Sequence, residues 1–342
     1  MRKNKLELPS ISVVTPSFDG AISTLEKCLK IVRSQNYPQE KIEILLGHGG
    51  SETVIKPIAK KYGAKYFFVP LDKQNAEYNR GVAFNKAKNE LVLILDHDNF
   101  MPTQNFLREY VKPLLDDEEI VAVESCYYHY DKSYSLLDRY FALFGVLDPV
   151  PYYFGKADRM RQDSTKWNLL GDWIDKEDYY VVKFKKDPRH IPTLGTNGCI
   201  MRRKLVQKYA NTKIGHHYPI DVMVDVIMNS DKKFAFTKNS LIHLTSSRGL
   251  LAFLKRRYLF MTQYHFEESK NRRYSVFMKG DELKIAKFVF FSLTLVVPFW
   301  DSLRGYLKIK DPAWFIHPLM CFGVTLMYGY ATIFSVARRR HM

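Results

Sequence analysis

ELVLILDHDN, residues 90–99, runs five apolar side chains in succession into two carboxylates, Asp96 and Asp98, with His97 between them. Leu91–Leu95 shows no alternation of apolar and polar positions, so it reads as a strand buried on both faces, as at the centre of a parallel α/β sheet. Ligands of such sheets bind outside the carboxyl ends of the strands, where Asp96 and Asp98 emerge. Two carboxylates at i and i+2 can hold one hard divalent cation that also grips phosphate oxygens. Taken alone, the same residues suit a strand followed by an Asx-type turn.

The upstream sequence supplies the context. ISVVT (residues 11–15) is a first strand, followed by Pro16-Ser17-Phe18. Leu25, Leu29 and Val32 recur at helical spacing, which predicts a helix over 24–34. A second strand over 42–46 runs into Gly47-His48-Gly49-Gly50-Ser51, whose glycines let the backbone approach a ligand. Residues 56–62 form a helix, 66–69 a third strand, and 76–87 a helix leading into the Asp96 strand. Alternation in this order is an α/β nucleotide-binding half domain.

ISVVTPSF, EILLGHGGSET and AEYNRGVAFNKAKNELVLILDHDN together resemble the inverting glycosyltransferases of family 2, which have the GT-A fold. The likeness lies in the order and spacing of four elements over residues 11–99: strand plus Pro, a strand ending in a Gly-Ser turn, an Asn-x-Gly helix, and Asp-x-Asp. It implies an α/β, mainly parallel but mixed sheet flanked by helices. It further implies that Pro16, Ser17, His48, Asn79 and Asp96 bind a nucleotide diphosphate-sugar, with Mn2+ or Mg2+ on Asp96 and Asp98. The family carries an acidic, nucleobase-contacting residue where this chain has His48. A carboxylate only accepts, whereas neutral His can donate or accept, so the nucleobase is left open.

Residues 127–190, rich in Tyr, Phe and Trp, read as an acceptor-facing insert near the membrane; within them, residues 144–160 carry too much Pro and Gly for a plain helix. TLGTNGCIMR (193–202) resembles the family's glycine loop, with Gly195 and Gly198 permitting close approach to sugar or acceptor. In YPIDVMVDVIM (218–228), Ile220-Asp221 stands where the family has Glu-Asp, which implies Asp221 as general base. Asp225, four residues on and on the same helical face, is the reserve candidate. His243, after a strand, would complete the metal set, since a borderline divalent ion accepts imidazole with carboxylate. Arg256 and Arg257 could neutralise a leaving diphosphate or face anionic lipid.

The chain has 342 residues and a formal charge of +16, with basic residues crowding 255–310. No nucleic-acid motif accompanies that charge. The membrane explains it better. Residues 312–337 carry no formal charge and end at Arg338-Arg339-Arg340; at 1.5 Å per residue this run exceeds the ~30 Å hydrocarbon core. Trp314 and the arginines would anchor the span at its interfaces. Residues 288–303 are apolar but short, and read as an interfacial or re-entrant helix or one arm of a hairpin. The hairpin places Arg304, Lys308 and Lys310 outside, against the positive-inside tendency. Met1–Lys5 reads as no secretory signal, and four scattered cysteines show neither metal spacing nor a disulfide framework.

These readings predict a catalytic domain over 1–250, divided at 126/127, a basic juxtamembrane segment over 251–284 and a membrane-associated region over 285–342. The catalytic domain is expected on the cytoplasmic face of the cell membrane, extending a polyprenyl-diphosphate-linked glycan. A polyprenyl-phosphate sugar synthase is the nearer alternative, and an inactive membrane-attached nucleotide-sugar-binding protein the more distant one.

Overall fold

Ile11–Phe18 (β1) is buried as far as Ser17 because it lies inside a sheet, with parallel neighbours on either side: Ile42–Gly49 (β2) and Leu91–Ile94 (β4). The computed structural model describes residues 7–245, 249–267 and 272–340, without the side chains of 264, 265, 267 and 335–340. Ala64–Phe68 (β3) extends the parallel set beyond β2. On the other side, Cys199–Arg202 (β9) runs antiparallel to β4 and to Ile120–Tyr128 (β6). Lys233–His243 (β10), Tyr179–Lys183 (β8) and Asp172–Asp175 (β7) complete the order β3-β2-β1-β4-β9-β6-β10-β8-β7, while the two-residue strand Asn99–Phe100 (β5) pairs with the end of β10. The sheet is therefore mixed, with one parallel half, β3-β2-β1-β4.

Pro16 sits within β1 without breaking it. β4 pairs only as far as Val14, so beyond that point one edge of β1 has no ladder to interrupt. Helices Ile22–Arg33 (α1), Glu52–Tyr62 (α2), Ala76–Phe84 (α3) and Phe106–Asp116 (α4) alternate with the strands. Their apolar stripes are buried, as with Leu25, Leu29 and Val32 of α1. Leu136–Phe144 (α5), Pro149–Tyr153 (α6), Arg203–Tyr209 (α7) and Pro219–Asn229 (α8) follow, then Gly249–Phe260 (α9), Glu282–Thr294 (α10), Val296–Lys308 (α11) and Ile316–Arg340 (α12).

The chain divides into two units: Met1–Cys126 with Gly171–His243, and Tyr127–Leu170 with Leu244–Met342. These bounds differ from the division at 126/127 and 250/251 expected from sequence. Residues 127–170 leave the sheet domain, whereas 171–243 return to it as β7–β10. The reason is aromatic packing: Phe141 meets Phe253 at 4.8 Å and Phe144 meets Trp314 at 4.8 Å, so the insert and the C-terminal helices share one core.

Pro312–Phe334 is the one helix among the described residues long and apolar enough to cross a membrane; α10 and α11 pass the same test jointly but are bent by 75°. One side of α12 is also the strut of the second unit. His317, fully buried, is hydrogen-bonded to Tyr140 and Tyr153, each at 3.0 Å, and stacks on Phe144 at 3.9 Å. The side chains of Arg338, Arg339 and Arg340, read above as anchors, lie outside the described ones, as does Met1–Lys5.

Candidate active site at the carboxyl ends of the parallel strands

At the end of β1 and β2 the buried His48 is spoken for on both ring nitrogens. Nδ1 lies 2.9 Å from Ser17 Oγ and Nε2 lies 3.1 Å from Asp19 Oδ1. An ionised Asp19 can only accept, so the neutral imidazole donates from Nε2 and accepts the Ser17 hydroxyl at Nδ1. Burial holds its pKa below the ordinary value, with Asp19 pulling the other way. His48, expected to meet a nucleobase, is fully buried, and the exposed group beside it is the Asp19 carboxylate, 46% exposed. Ser51 N–H also donates to it, at 3.0 Å. A Cβ on Gly50 would lie 2.2 Å from Asp19 Oδ1, so this glycine admits the carboxylate. Phe18, beside it, is half exposed. Asp19 escaped the sequence reading, although it directly follows the Pro16-Ser17-Phe18 run.

On α3, Asn79 donates from Nδ2 to the Ser17 carbonyl at 3.1 Å, while its buried Oδ1 has no hydrogen-bond partner. Next to it is Arg80, the residue inside Asn-x-Gly, and it too was missed. Its guanidinium is 2% exposed and reaches both oxygens of Asp96 from Nη2 at 2.9 Å, with Nη1 on Glu77. Asp96 is thus a carboxylate held by a buried arginine.

Asp98 stands differently. Pairing of β5 with β10 sets His243 opposite Asn99, and His243 Nε2 comes within 3.8 Å of Asp98 Oδ1. Asn99 donates to the same oxygen at 3.0 Å, and its own buried Oδ1 is without a hydrogen-bond partner. A carboxylate, an imidazole and an orphaned amide oxygen in one place suit a borderline divalent ion. The three-residue set expected from sequence is not assembled, however. Among the described residues no group of three or more His, Cys, Asp or Glu side chains is arranged for a metal, and Asp96 is engaged with Arg80.

Asp221 lies fully buried in the first turn of α8. Asp225, its reserve, accepts from Asn211 N–H at 3.0 Å and caps a surface turn. The glycine loop packs on the start of α8: Gly195, at φ +97°, leaves no room for a Cβ against Pro219 O and Met223. Gly198 is pressed likewise against Leu241, so it serves packing with β10. Gly195 N–H donates to Glu124 Oε1 at 2.6 Å. Glu124 is a buried carboxylate that was overlooked, and its signal was an acid inside the apolar strand IVAVESCYY. Arg256 and Arg257 belong to the second unit; Arg256 is exposed, and Arg257 lies 3.8 Å from Asp148 and over Phe253 and Phe260.

Residues 12–210 match the family model described as glycosyl transferase family 2. Over 111 residues the chain is 31% identical to glycosyltransferase AglE of Haloferax volcanii, covering 31% of this chain and 36% of that protein. Over 146 residues it is 25% identical to the probable glycosyltransferase YdaM of Bacillus subtilis, covering 41% and 34%. The chain thus spans about a third of the length of these curated relatives. In fold it is similar to a mannosyltransferase, PcManGT from Pyrobaculum calidifontis, solved with GDP-Man and Mn2+: TM-score 0.52 at 13% identity, covering 94% of this chain and 88% of that one.

Proposed function

The chain belongs to glycosyltransferase family 2, and from that premise we propose that it moves a sugar, with inversion, from a nucleotide diphosphate-sugar to a lipid-linked, polyprenyl-diphosphate glycan on the cytoplasmic face of the cell membrane. The observation that carries the reading is the meeting of Asp98 with His243, 145 positions apart in sequence, at the mouth of the parallel strands. The nucleobase lies against Phe18, and the Asp19 carboxylate accepts one of its N–H groups. Asn79 turns its unpartnered oxygen to the nucleotide. Asp98 and His243 would hold Mn2+ or Mg2+, which when bound supplies charge to the leaving diphosphate; Mn2+ accompanies the donor in the mannosyltransferase of similar fold.

Asp221 takes the proton of the acceptor hydroxyl, which attacks the anomeric carbon on the face opposite the diphosphate. A general base typically contributes ~10²–10⁴-fold, so Asp221→Asn should lower kcat by that factor and leave donor affinity intact. The test is nucleotide diphosphate release from UDP- and GDP-sugars, with Mn2+ or Mg2+, with and without a membrane lipid extract. Release that needs both metal and lipid is the expected result. Undiminished turnover of Asp221→Asn would instead favour a phosphate acceptor that is already ionised, as in a polyprenyl-phosphate sugar synthase. Tight donor binding without turnover on any acceptor would favour the binding-protein reading.

A further inference from the structure

α10 and α11 are joined at Leu295, a non-glycine residue at φ +61°, and their axes bend by 75°. One side of the pair is fixed to its own unit. Phe288 packs on Tyr153 at 5.6 Å, Ser302 Oγ donates to the Trp314 carbonyl at 2.8 Å, and a Cβ on Gly305 would lie 2.5 Å from the Trp314 ring. The other side is bare: Phe290, Leu293, Leu295, Val296, Phe299 and Trp300, clustered about the bend, are all exposed. Away from the bend cations join the exposed apolar residues Leu283, Ile285 and Leu307. Lys284 and Lys287 lie toward the start of α10, beside Glu282, and Arg304, Lys308 and Lys310 at or beyond the end of α11. Lys284 also pairs with Asp281, and Lys308 donates to the Asp163 carbonyl. A non-glycine residue held in the left-handed region is strained and persists where the surrounding structure demands it; here it makes the apolar apex.

We infer that α10 and α11 form a monotopic wedge that dips, apex first, into one leaflet of an anionic bilayer and returns to the same side. Three observations select lipid as the occupant. Each 13-residue arm is about 20 Å long at 1.5 Å per residue, short of the ~30 Å hydrocarbon core. With arms inclined symmetrically about a 75° bend, the apex reaches about 12 Å below the arm ends, within the ~15 Å half-thickness of that core. Finally, a straightened span would put Lys284 and Lys287 opposite Arg304, Lys308 and Lys310. The wedge brings all five to one headgroup layer, where cations are attracted to an anionic surface, and the positive-inside conflict of a two-span hairpin disappears.

The wedge rests on the membrane-side acceptor proposed above but is tested without turnover. The full chain is mixed with preformed vesicles of phosphatidylcholine alone or with phosphatidylglycerol, and bound protein is separated by flotation. Binding should require the anionic lipid and fall at least tenfold in the double variant Phe290→Glu/Phe299→Glu, whose exposed positions leave the fold intact by circular dichroism. Topology is read from Lys284→Cys and Lys308→Cys with an impermeant maleimide added outside, the native cysteines being buried. Equal labelling of both supports the wedge. Protection of one position alone means a span and overturns it. Binding unaffected by the glutamates overturns it too, as does a dimer that the glutamates dissociate in the absence of any lipid binding. Lipid-dependent transfer with a failed wedge refutes only the wedge, and a bound wedge without transfer refutes only the acceptor.

Discussion

Arg80→Met isolates the charge pair beneath the candidate donor site. Arg80 is 2% exposed, while Asp96 and Glu77, the two carboxylates it serves, keep 21% and 17% of their side-chain surface. Methionine retains an apolar stem of similar length, so the packing loss is small and the charge loss dominates. Breaking a fully buried pair costs about 3–5 kcal/mol, and an exposed pair is worth about 0–1 kcal/mol. With the acids one-fifth solvated, about 2–3 kcal/mol is the expected cost. For a unit of roughly 200 residues each kcal/mol moves Tm by about 2–4 °C, so the variant should melt about 5–10 °C lower. Asp96→Asn in the Arg80→Met background should restore part of that loss, because it removes one of the stranded charges; the double-mutant cycle gives the coupling directly. Donor titration of the folded single variant should show weaker binding, as Asp96 is no longer held. Melting within about 1 °C of the parent, together with unchanged donor affinity, would refute the assignment of Arg80 as the residue that positions Asp96.

Asp98→Asn and His243→Ala should each weaken Mn2+ binding by at least the roughly 10–100-fold that even an outer partner is worth; calorimetry with Mn2+ alone checks this, and parent-like affinity in both would remove the proposed ion pocket. Gly47→Ala should destabilise by about 3 kcal/mol or prevent folding, since a Cβ there lies 1.8 Å from Asn79 O; urea unfolding with a parent midpoint would contradict the α3 packing. Because burial depresses the His48 pKa, the unfolded chain protonates first on acidification. The stability from that neutral imidazole is therefore complete above about pH 6.5 and is lost as pH falls through that value toward the folded pKa. His48→Asn should flatten the Tm–pH curve in that window, and superimposable curves would count against the buried neutral form.

Sequence was most legible where a single segment carries its own signal. The parallel strands, α1 and the Asp96/Asp98 turn emerged from apolar runs and helical spacing, because burial on both faces or along one stripe leaves a pattern in consecutive residues. Side-chain pairings between segments left no such mark. That Arg80 would hold Asp96, or Asp19 cap His48, depends on how α3 and β1 approach β4 and β2, and no local period encodes it. The bounds of the two compact units were hidden for a related reason. The aromatic content of 127–190 read as an acceptor-facing insert, whereas the aromatics of 127–170 pack on segments beyond residue 244, and composition does not say which distant segment they meet. Asp225 was placed on the face of Asp221 by periodicity, yet its oxygen goes to Asn211 N–H, a tertiary choice.

The second unit is built from two chain segments that are made at different times. Tyr140 meets His317 across 177 positions, and at a synthesis rate of about 5–20 residues per second the insert waits about 9–35 s for its partner helix. During that interval Tyr140, Phe141 and Phe144 are finished but uncovered, whereas the strands of the first unit, complete at residue 243, can already close. The insert is therefore the segment of the nascent chain with the longest need for a holding chaperone or a membrane surface. Truncations that remove α12 should appear in the cell as aggregation through residues 127–170 before any defect appears in the sheet.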